Sequence, residues 1–407
     1  MPNWLRQLAR NRLLDVGAVV VSLLVVSRWT VLVPGRWSEL DFNHYYVGSR
    51  MLLAGQNPYT TSLEAMSRAL GLTVPNGVPI AGYPPSFLWL FAPLAALGPR
   101  AAFAIWVALE FTCLAAILWL TRKLLGERLT LRGWLFVAVL TMTSQTVTYH
   151  LLFSQVQLLL AALVLFAYSA HRRGKAGLAC LLISVAGILK LYPFVLLPWF
   201  VWSGGGSMRG RWYRGLGVVG FVIAIVLLTG PGLWRDFFER GIPMAFNGEV
   251  AHRFRFSLAA FVTNIGYVHG HLSSPEAKRW WYVWGTAAGL VVIAVTYGLC
   301  LALRHDPEAQ FCVLCVAMLA ATVTVSGHYF VFMIFPLAAA AVRIAVAPTP
   351  SQVLYLTLLV LAMNCLDPPE SPFVLQHSYL YLFVSNIPLY GLLGLGGFFW
   401  REILVGS

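Results

Sequence analysis

Long apolar runs, separated by short polar or basic segments, recur from residue 13 almost to the C-terminus. A helix needs about 20 apolar residues to cross the hydrocarbon of a bilayer. The runs predict spanning helices at 13–33, 100–121, 133–151, 156–171, 176–190, 192–202, 215–229, 280–303, 310–326, 328–346, 352–366 and 379–400. Several are short, and the pair 176–190 and 192–202 reads as a kinked hairpin turning at Lys190-Leu191-Tyr192-Pro193. Residues 83–99 are also apolar, but Pro84, Pro85 and Pro93 predict an interfacial or re-entrant segment there rather than a crossing. Two long stretches, 34–99 and 230–279, lie between spans. Within the first, Asp41 to Leu53 sets Phe42, Tyr45, Tyr46, Met51 and Leu52 among polar residues. That pattern suits a helix lying on a membrane surface, and Asn57-Pro58-Tyr59 ends it. No repeat of 20–50 residues is present. The expected fold class is all-α and polytopic, one integral membrane domain over 1–407 with about a dozen transmembrane helices and long loops carrying short amphipathic helices.

Composition supports lipid as the solvent. Of 407 residues, 59% are hydrophobic and 11% charged, against about 25% charged in soluble domains. The net charge of +13 would suggest nucleic acid for a soluble protein. Here the excess lies in short connections between spans, where Lys and Arg set orientation, so no nucleic-acid partner is expected. With the N-terminus in the cytosol, the inner segments hold Arg6, Arg10, Arg12, Arg122, Lys123, Arg128, Arg132, Arg172, Arg173, Lys175, Arg209, Arg211, Arg214, Arg304, Arg343 and Arg401. The acidic residues on that side are Asp15, Glu127, Asp306, Glu308 and Glu402. The outer loops carry balanced charge. Both termini are therefore expected in the cytosol of an inner (plasma) membrane protein, with the loops 34–99 and 230–279 extracytoplasmic. The first run has no small-residue cleavage site and is expected to be a retained helix. The cysteines lie in or near apolar spans, and Cys312-x-x-Cys315 reads as core rather than as a metal or redox site.

On this topology the polar clusters gather at the outer ends of helices or in outer loops. They are Asp41-Phe42-Asn43-His44-Tyr45-Tyr46, Tyr83-Pro84-Pro85, Ser154-Gln155-Val156-Gln157, Lys190-Leu191-Tyr192-Pro193, Arg253-Phe254-Arg255-Phe256-Ser257 and Ser326-Gly327-His328-Tyr329. Asp41, beside His44, is a candidate general base or a helix N-cap. Lys190 interrupts an apolar run, as a phosphate-binding cation would, or it snorkels to the headgroups. Arg253 and Arg255 suit a phosphate or lipid headgroups equally. Tyr45, Tyr46, Asn57, Tyr59, Tyr83, Gln155, Gln157, Tyr192, Ser257 and Tyr329 offer hydroxyls, amides and flat faces to a sugar or acceptor. His328 is a site residue or a buried hydrogen-bonded histidine. Glu110, mid-span, is expected to be paired inside the bundle. No carboxylate or histidine spacing argues for a metal, and no cofactor is expected.

The order Asp41-Phe42-x-x-Tyr45-Tyr46, Gly55-x-Asn57-Pro58-Tyr59, Tyr83-Pro84-Pro85, Ala92-Pro93-Leu94, Gln155-x-Gln157, Lys190-x-Tyr192-Pro193 and Gly327-His328-Tyr329 resembles the GT-C superfamily of membrane glycosyltransferases, and within it glycosyltransferase family 87. The resemblance covers about residues 15–346. It implies a GT-C-type fold and a polyprenyl-phosphate sugar donor, most simply mannose. It further implies a glycolipid or glycan acceptor and inversion in one displacement on the extracytoplasmic face. By the same resemblance Asp41 matches the aspartate that deprotonates the acceptor, Lys190 neutralises the leaving phosphate, and His328 matches a histidine near the acceptor. The pattern around His328 is shorter than the family often shows. The alternative is a polytopic transporter or flippase for a lipid-linked or glycan substrate. Against it stand the absence of an internal repeat and the gathering of polar groups at one face rather than the midplane.

Overall fold

The computed structural model describes residues 41–74, 82–247, 256–268, 275–302, 306–323, 325–346, 348–366 and 378–405. These are helical throughout, joined by turns, with no strand among them. The expected span at 13–33 lies outside the described residues. Four helices are long and apolar enough to cross a membrane: Pro99–Arg128, Met208–Thr229, Trp280–Ala302 and Gly327–Val346. The pair Leu131–Thr143 and Gln145–Phe153, bent by 51°, makes a fifth if counted as one span. Several other expected spans are shorter apolar helices, such as Gln157–Arg172 with 16 residues. At about 1.5 Å per residue, such a helix falls short of the roughly 30 Å of a hydrocarbon core. The span expected at 379–400 divides into Ser378–Ser385 and Ile387–Val405.

Met208–Thr229 shows why these helices need lipid. Only Val218 on it is buried, while Leu216, Val219, Ile223, Leu227 and Leu228 are exposed. In water that stripe would be a large uncovered apolar patch.

The chain divides into two compact units. Among the described residues, one draws on 41–116 and 150–247, the other on 117–149 and 256–405. In the first-loop unit, α1 (Phe42–Leu53) packs on α2 (Pro85–Ala95), and α3 (Gln157–Arg172) packs on α4 (Ala176–Leu189). The α1 segment is helical as expected, but its polar Asn43 and Ser49 are buried along with its apolar residues, so it packs into the unit rather than lying as an amphipathic helix on a surface. The α2 segment is the short apolar segment that the sequence predicts. It has 11 residues, too few to cross. Phe42, Tyr45, Phe87, Phe91 and Trp106 lock the two helices together, with Tyr45 at 5.2 Å from Phe87, 5.8 Å from Phe91 and 5.9 Å from Trp106 between ring centroids. Each such pair contributes about 0.5–1.5 kcal/mol beyond its buried area.

The hairpin expected at Lys190 forms. The α4 helix ends at Leu189, Lys190 is extended (φ −160°, ψ 124°), and a 3₁₀ turn runs Tyr192–Leu196. Gly187 permits the fold-back, since a Cβ there would lie 2.6 Å from the Phe194 ring.

In the C-terminal unit, Pro307–Ala321 packs on Ile387–Val405, and Leu258–Val268 on Pro275–Ala302. Arg343 holds Asp306 at 2.7 Å, Glu308 at 3.1 Å and Glu402 at 3.4 Å. Arg128 grips both oxygens of Glu308. All five residues belong to segments assigned to the inner side.

Candidate functional site

Asp41 occupies the N-cap position of α1, but its backbone is α-like and its side chain accepts no helix N–H. The capping role is therefore not what occupies the carboxylate. Instead Gln155 donates its Nε2–H to Asp41 Oδ2, and His44 Nδ1 lies 3.9 Å from Asp41 Oδ1. The Asp41 side chain keeps 34% of its exposure, so an acceptor hydroxyl can reach it.

Gln155 is held from its other side. The Tyr83 hydroxyl donates to Gln155 Oε1 at 2.9 Å, and the Lys190 ammonium sits over the Tyr83 ring, 4.7 Å from its centroid. A carboxylate, an amide, a phenol and an ammonium, distant in sequence, thus form one connected line: Asp41, Gln155, Tyr83, Lys190.

Local sequence explains each placement. Tyr83 precedes Pro84, which forces extended backbone, and Pro85 opens α2 at the position where a missing N–H is harmless. Ser86 Oγ donates to the Ile188 carbonyl, tying the start of α2 to the end of α4 just before Lys190. Gln155 follows Ser154, whose φ of +48° is the single positive value at a non-glycine among the described residues. This left-handed residue closes the helix Gln145–Phe153, with the Gln155 N–H returning to the His150 carbonyl at 3.4 Å, the Schellman pattern normally built with glycine. A serine there carries about 1–2 kcal/mol of strain. The Ser154 carbonyl accepts from Tyr45 Oη at 3.1 Å and Trp106 Nε1 at 3.2 Å, which offsets that strain and fixes where Gln155 points.

The remaining expected residues of this unit frame the line. Tyr59, 1% exposed, donates to the Tyr83 carbonyl at 2.7 Å. Asn57 donates to Asp236 at 2.7 Å and accepts from the Tyr59 N–H at 3.0 Å, joining the stretches 34–99 and 230–279. Tyr46 is buried and donates to the Leu97 carbonyl at 2.6 Å. Tyr45 and Tyr59, enclosed in this packing, have their phenols pushed well above the ordinary value by burial, so both act as donors. Tyr192 is partly exposed beyond Lys190. Gln157 opens α3 and is completely buried.

Ser257, His328 and Tyr329 lie in the C-terminal unit. Ser257 Oγ donates to the Val323 carbonyl at 2.8 Å and accepts from the Ala260 N–H at 3.2 Å, so it caps the helix Leu258–Val268. His328 and Tyr329 are buried in the 3₁₀ segment Gly327–Met333, their rings 4.9 Å apart. Arg253 and Arg255 lie outside the described residues. Glu110 Oε1 lies 3.2 Å from His150 Nε2 with both side chains buried, but neither group makes a hydrogen bond there, so the expected pairing is a close approach only.

Sequence reasoning did not single out Trp106, Ser86 or Asp236, which position the line without belonging to a polar cluster. The positive φ of Ser154 has no sequence signal, because serine is not a residue that announces a left-handed turn.

A family model, glycosyltransferase family 87, matches residues 80–327. The matched stretch includes Tyr83, Gln155 and Lys190, while Asp41 precedes it and is joined to them by the fold. No curated protein and no solved structure matches the chain.

Proposed function

The chain belongs to glycosyltransferase family 87, and from that premise we propose that it moves a sugar from a polyprenyl-phosphate donor to a glycolipid or glycan acceptor at the outer membrane face. In this reading it is a GT-C-type enzyme of about twelve crossings, with cytosolic termini and mannose as the first sugar to test. The observation that carries the proposal is the line Asp41–Gln155–Tyr83–Lys190. It sets a partly exposed carboxylate and a cation at the two ends of one hydrogen-bonded frame.

Glycosyl transfer passes through an oxocarbenium-like transition state. The acceptor hydroxyl gives its proton to the Asp41 carboxylate as its oxygen bonds to the anomeric carbon. The bond from that carbon to the phosphate oxygen breaks on the opposite side, which inverts the centre. The electron pair stays on the lipid phosphate, where the Lys190 ammonium stabilises the charge. In this reading the Lys190 cation supplies the charge stabilisation at the leaving phosphate, and no cofactor is invoked. His44 and Tyr192 remain the acceptor and sugar contacts of this reading.

Two observations support the orientation. The ionic network of Arg128, Asp306, Glu308, Arg343 and Glu402 is assembled wholly from segments counted as cytosolic. The Asn57–Asp236 bond joins the two loops counted as outer.

The test is to incubate purified protein with a panel of polyprenyl-phosphate sugars and membrane lipids, and to look for a mass-shifted acceptor. Asp41→Asn still accepts from Gln155 but has no basicity, so turnover should drop about 100-fold or more with folding intact. Near-normal turnover in that variant sinks the assignment.

A further inference from the structure

The geometry points to Gln155 as a positioning residue for the base, with Tyr83 as the link that ties base and donor cation into one body. This rests on Asp41 being the base, and it replaces the sugar contact that the sequence suggests for Gln155 and Tyr83.

The argument is one of donors and acceptors. A side-chain amide has one accepting end and one donating end. Tyr83 Oη donates to Oε1 of Gln155, which leaves Nε2 to donate to Asp41 Oδ2. The reverse orientation would turn the amide oxygen against the carboxylate, acceptor against acceptor. Only one rotamer therefore satisfies both neighbours while Asp41 is ionised. Its backbone is equally constrained. Ser154, left-handed at φ +48°, is clamped through its carbonyl by Tyr45 and Trp106. Gln155 itself is 5% exposed, so a buried amide with both ends engaged has little left to offer a sugar. What reaches solvent at this point is Asp41.

Tyr83 has two functions in one ring. Its hydroxyl fixes the amide, and its face carries the Lys190 ammonium, while its own carbonyl is held by Tyr59. A shift of Lys190 toward a phosphate is thereby felt at Gln155 and at the base. The separation between the acceptor's proton acceptor and the donor's cation is set by this chain of contacts rather than by two independent loops.

The experiment uses the full-length protein in detergent or nanodiscs, with the donor and acceptor that give turnover. Gln155→Met keeps the volume and removes both hydrogen bonds. Loss of alignment of the base should lower kcat by roughly 30- to 100-fold while KM for donor and acceptor stays near wild type. In an Asp41→Asn background the same change should have almost no further effect, because residues that act as a unit are not additive. Tyr83→Phe retains the ring under Lys190 and removes only the hydroxyl, so it should show a smaller fall in kcat, again without a change in KM. A rise in KM with kcat preserved would restore the sugar-contact reading and overturn the proposal. An equal further loss in the Asp41→Asn background would make Gln155 merely structural and overturn it as well. One measurement needs no turnover: the Gln155 side-chain amide proton, observed by NMR in selectively labelled protein, should lie downfield in wild type and move upfield when Asp41 becomes Asn. An unmoved signal refutes the hydrogen bond to the carboxylate. A wild-type chain that transfers no sugar while this signal moves would fail the proposed function and leave the positioning intact.

Discussion

Replacing Lys190 by Met removes a charge and little else, because the two side chains have similar length and both lie along the Tyr83 ring. In the resting protein the interaction with that ring is among those lost. A cation at 4.7 Å from the centroid and half-buried contributes about 1 kcal/mol, part of which is returned because no ammonium has to be desolvated. Folding should therefore change little. The leaving phosphate is a different matter. Two unit charges 4 Å apart at an effective dielectric of 20 interact by about 4 kcal/mol. The donor already carries one negative charge in the ground state, so only the charge that develops during bond cleavage affects kcat. With half a charge developed at the transition state, kcat loses about 2 kcal/mol, or roughly 30-fold. The ground-state share appears as weaker donor binding, while binding of acceptor alone is untouched. Steady-state kinetics with varied donor, acceptor binding measured separately, and thermal unfolding in detergent resolve the three quantities. If kcat and the donor KM both stay within about threefold of wild type, Lys190 is a snorkelling residue and the phosphate assignment is wrong.

A cysteine at exposed Glu64 should be labelled by an impermeant thiol reagent from the outer face and one at exposed Glu127 should not, and the reverse pattern inverts the topology. Arg343→Met removes a cation from Asp306, Glu308 and Glu402 and should cost about 2–3 kcal/mol of stability, less than a fully buried pair because Arg128 stays on Glu308. Arg128→Met, at the exposed end of the same network, should cost about 1 kcal/mol or less, and a reversed order in melting experiments contradicts the network. Burial raises the phenols of Tyr45 and Tyr59 above their ordinary value near 10, so the unfolded chain loses these protons first as pH rises. Stability is then complete below about pH 10 and declines above it by up to about 1.4 kcal/mol per pH unit for each group. Tyr59→Phe should flatten that decline between pH 10 and 11, and an unchanged slope would show that the phenol does not contribute.

Lipid as solvent, the all-helical class and the order of most elements were legible in the order of residues alone. Apolar runs with few charges leave a chain no stable place but lipid, and helices are the one all-α way to satisfy backbone groups there. Local rules also reached the helix Phe42–Leu53, though not its burial, the break at Lys190 and the short helix after Pro84-Pro85, because proline chemistry and periodicity act over a few residues. Residue types flagged Asp41, Tyr83, Gln155 and Lys190 as polar groups that lipid would punish, and flagged Glu110 as needing a partner. Which of them meet was not legible. The approach of Glu110 to His150, the clamp of Tyr45 and Trp106 on Ser154, and the line from Asp41 to Lys190 join positions tens to more than a hundred residues apart. Such contacts depend on how helices pack and on rotamers that packing alone selects. For the same reason Tyr46, Asn57 and Tyr59, which read as ligand contacts from their chemistry, prove to have their polar atoms engaged by Leu97, Asp236 and Tyr83. A hydroxyl or amide in the sequence advertises that it must be satisfied. Only the tertiary structure decides whether the satisfying group belongs to a substrate or to the protein itself, because in a low-dielectric interior the nearest unpaired backbone carbonyl competes with any ligand.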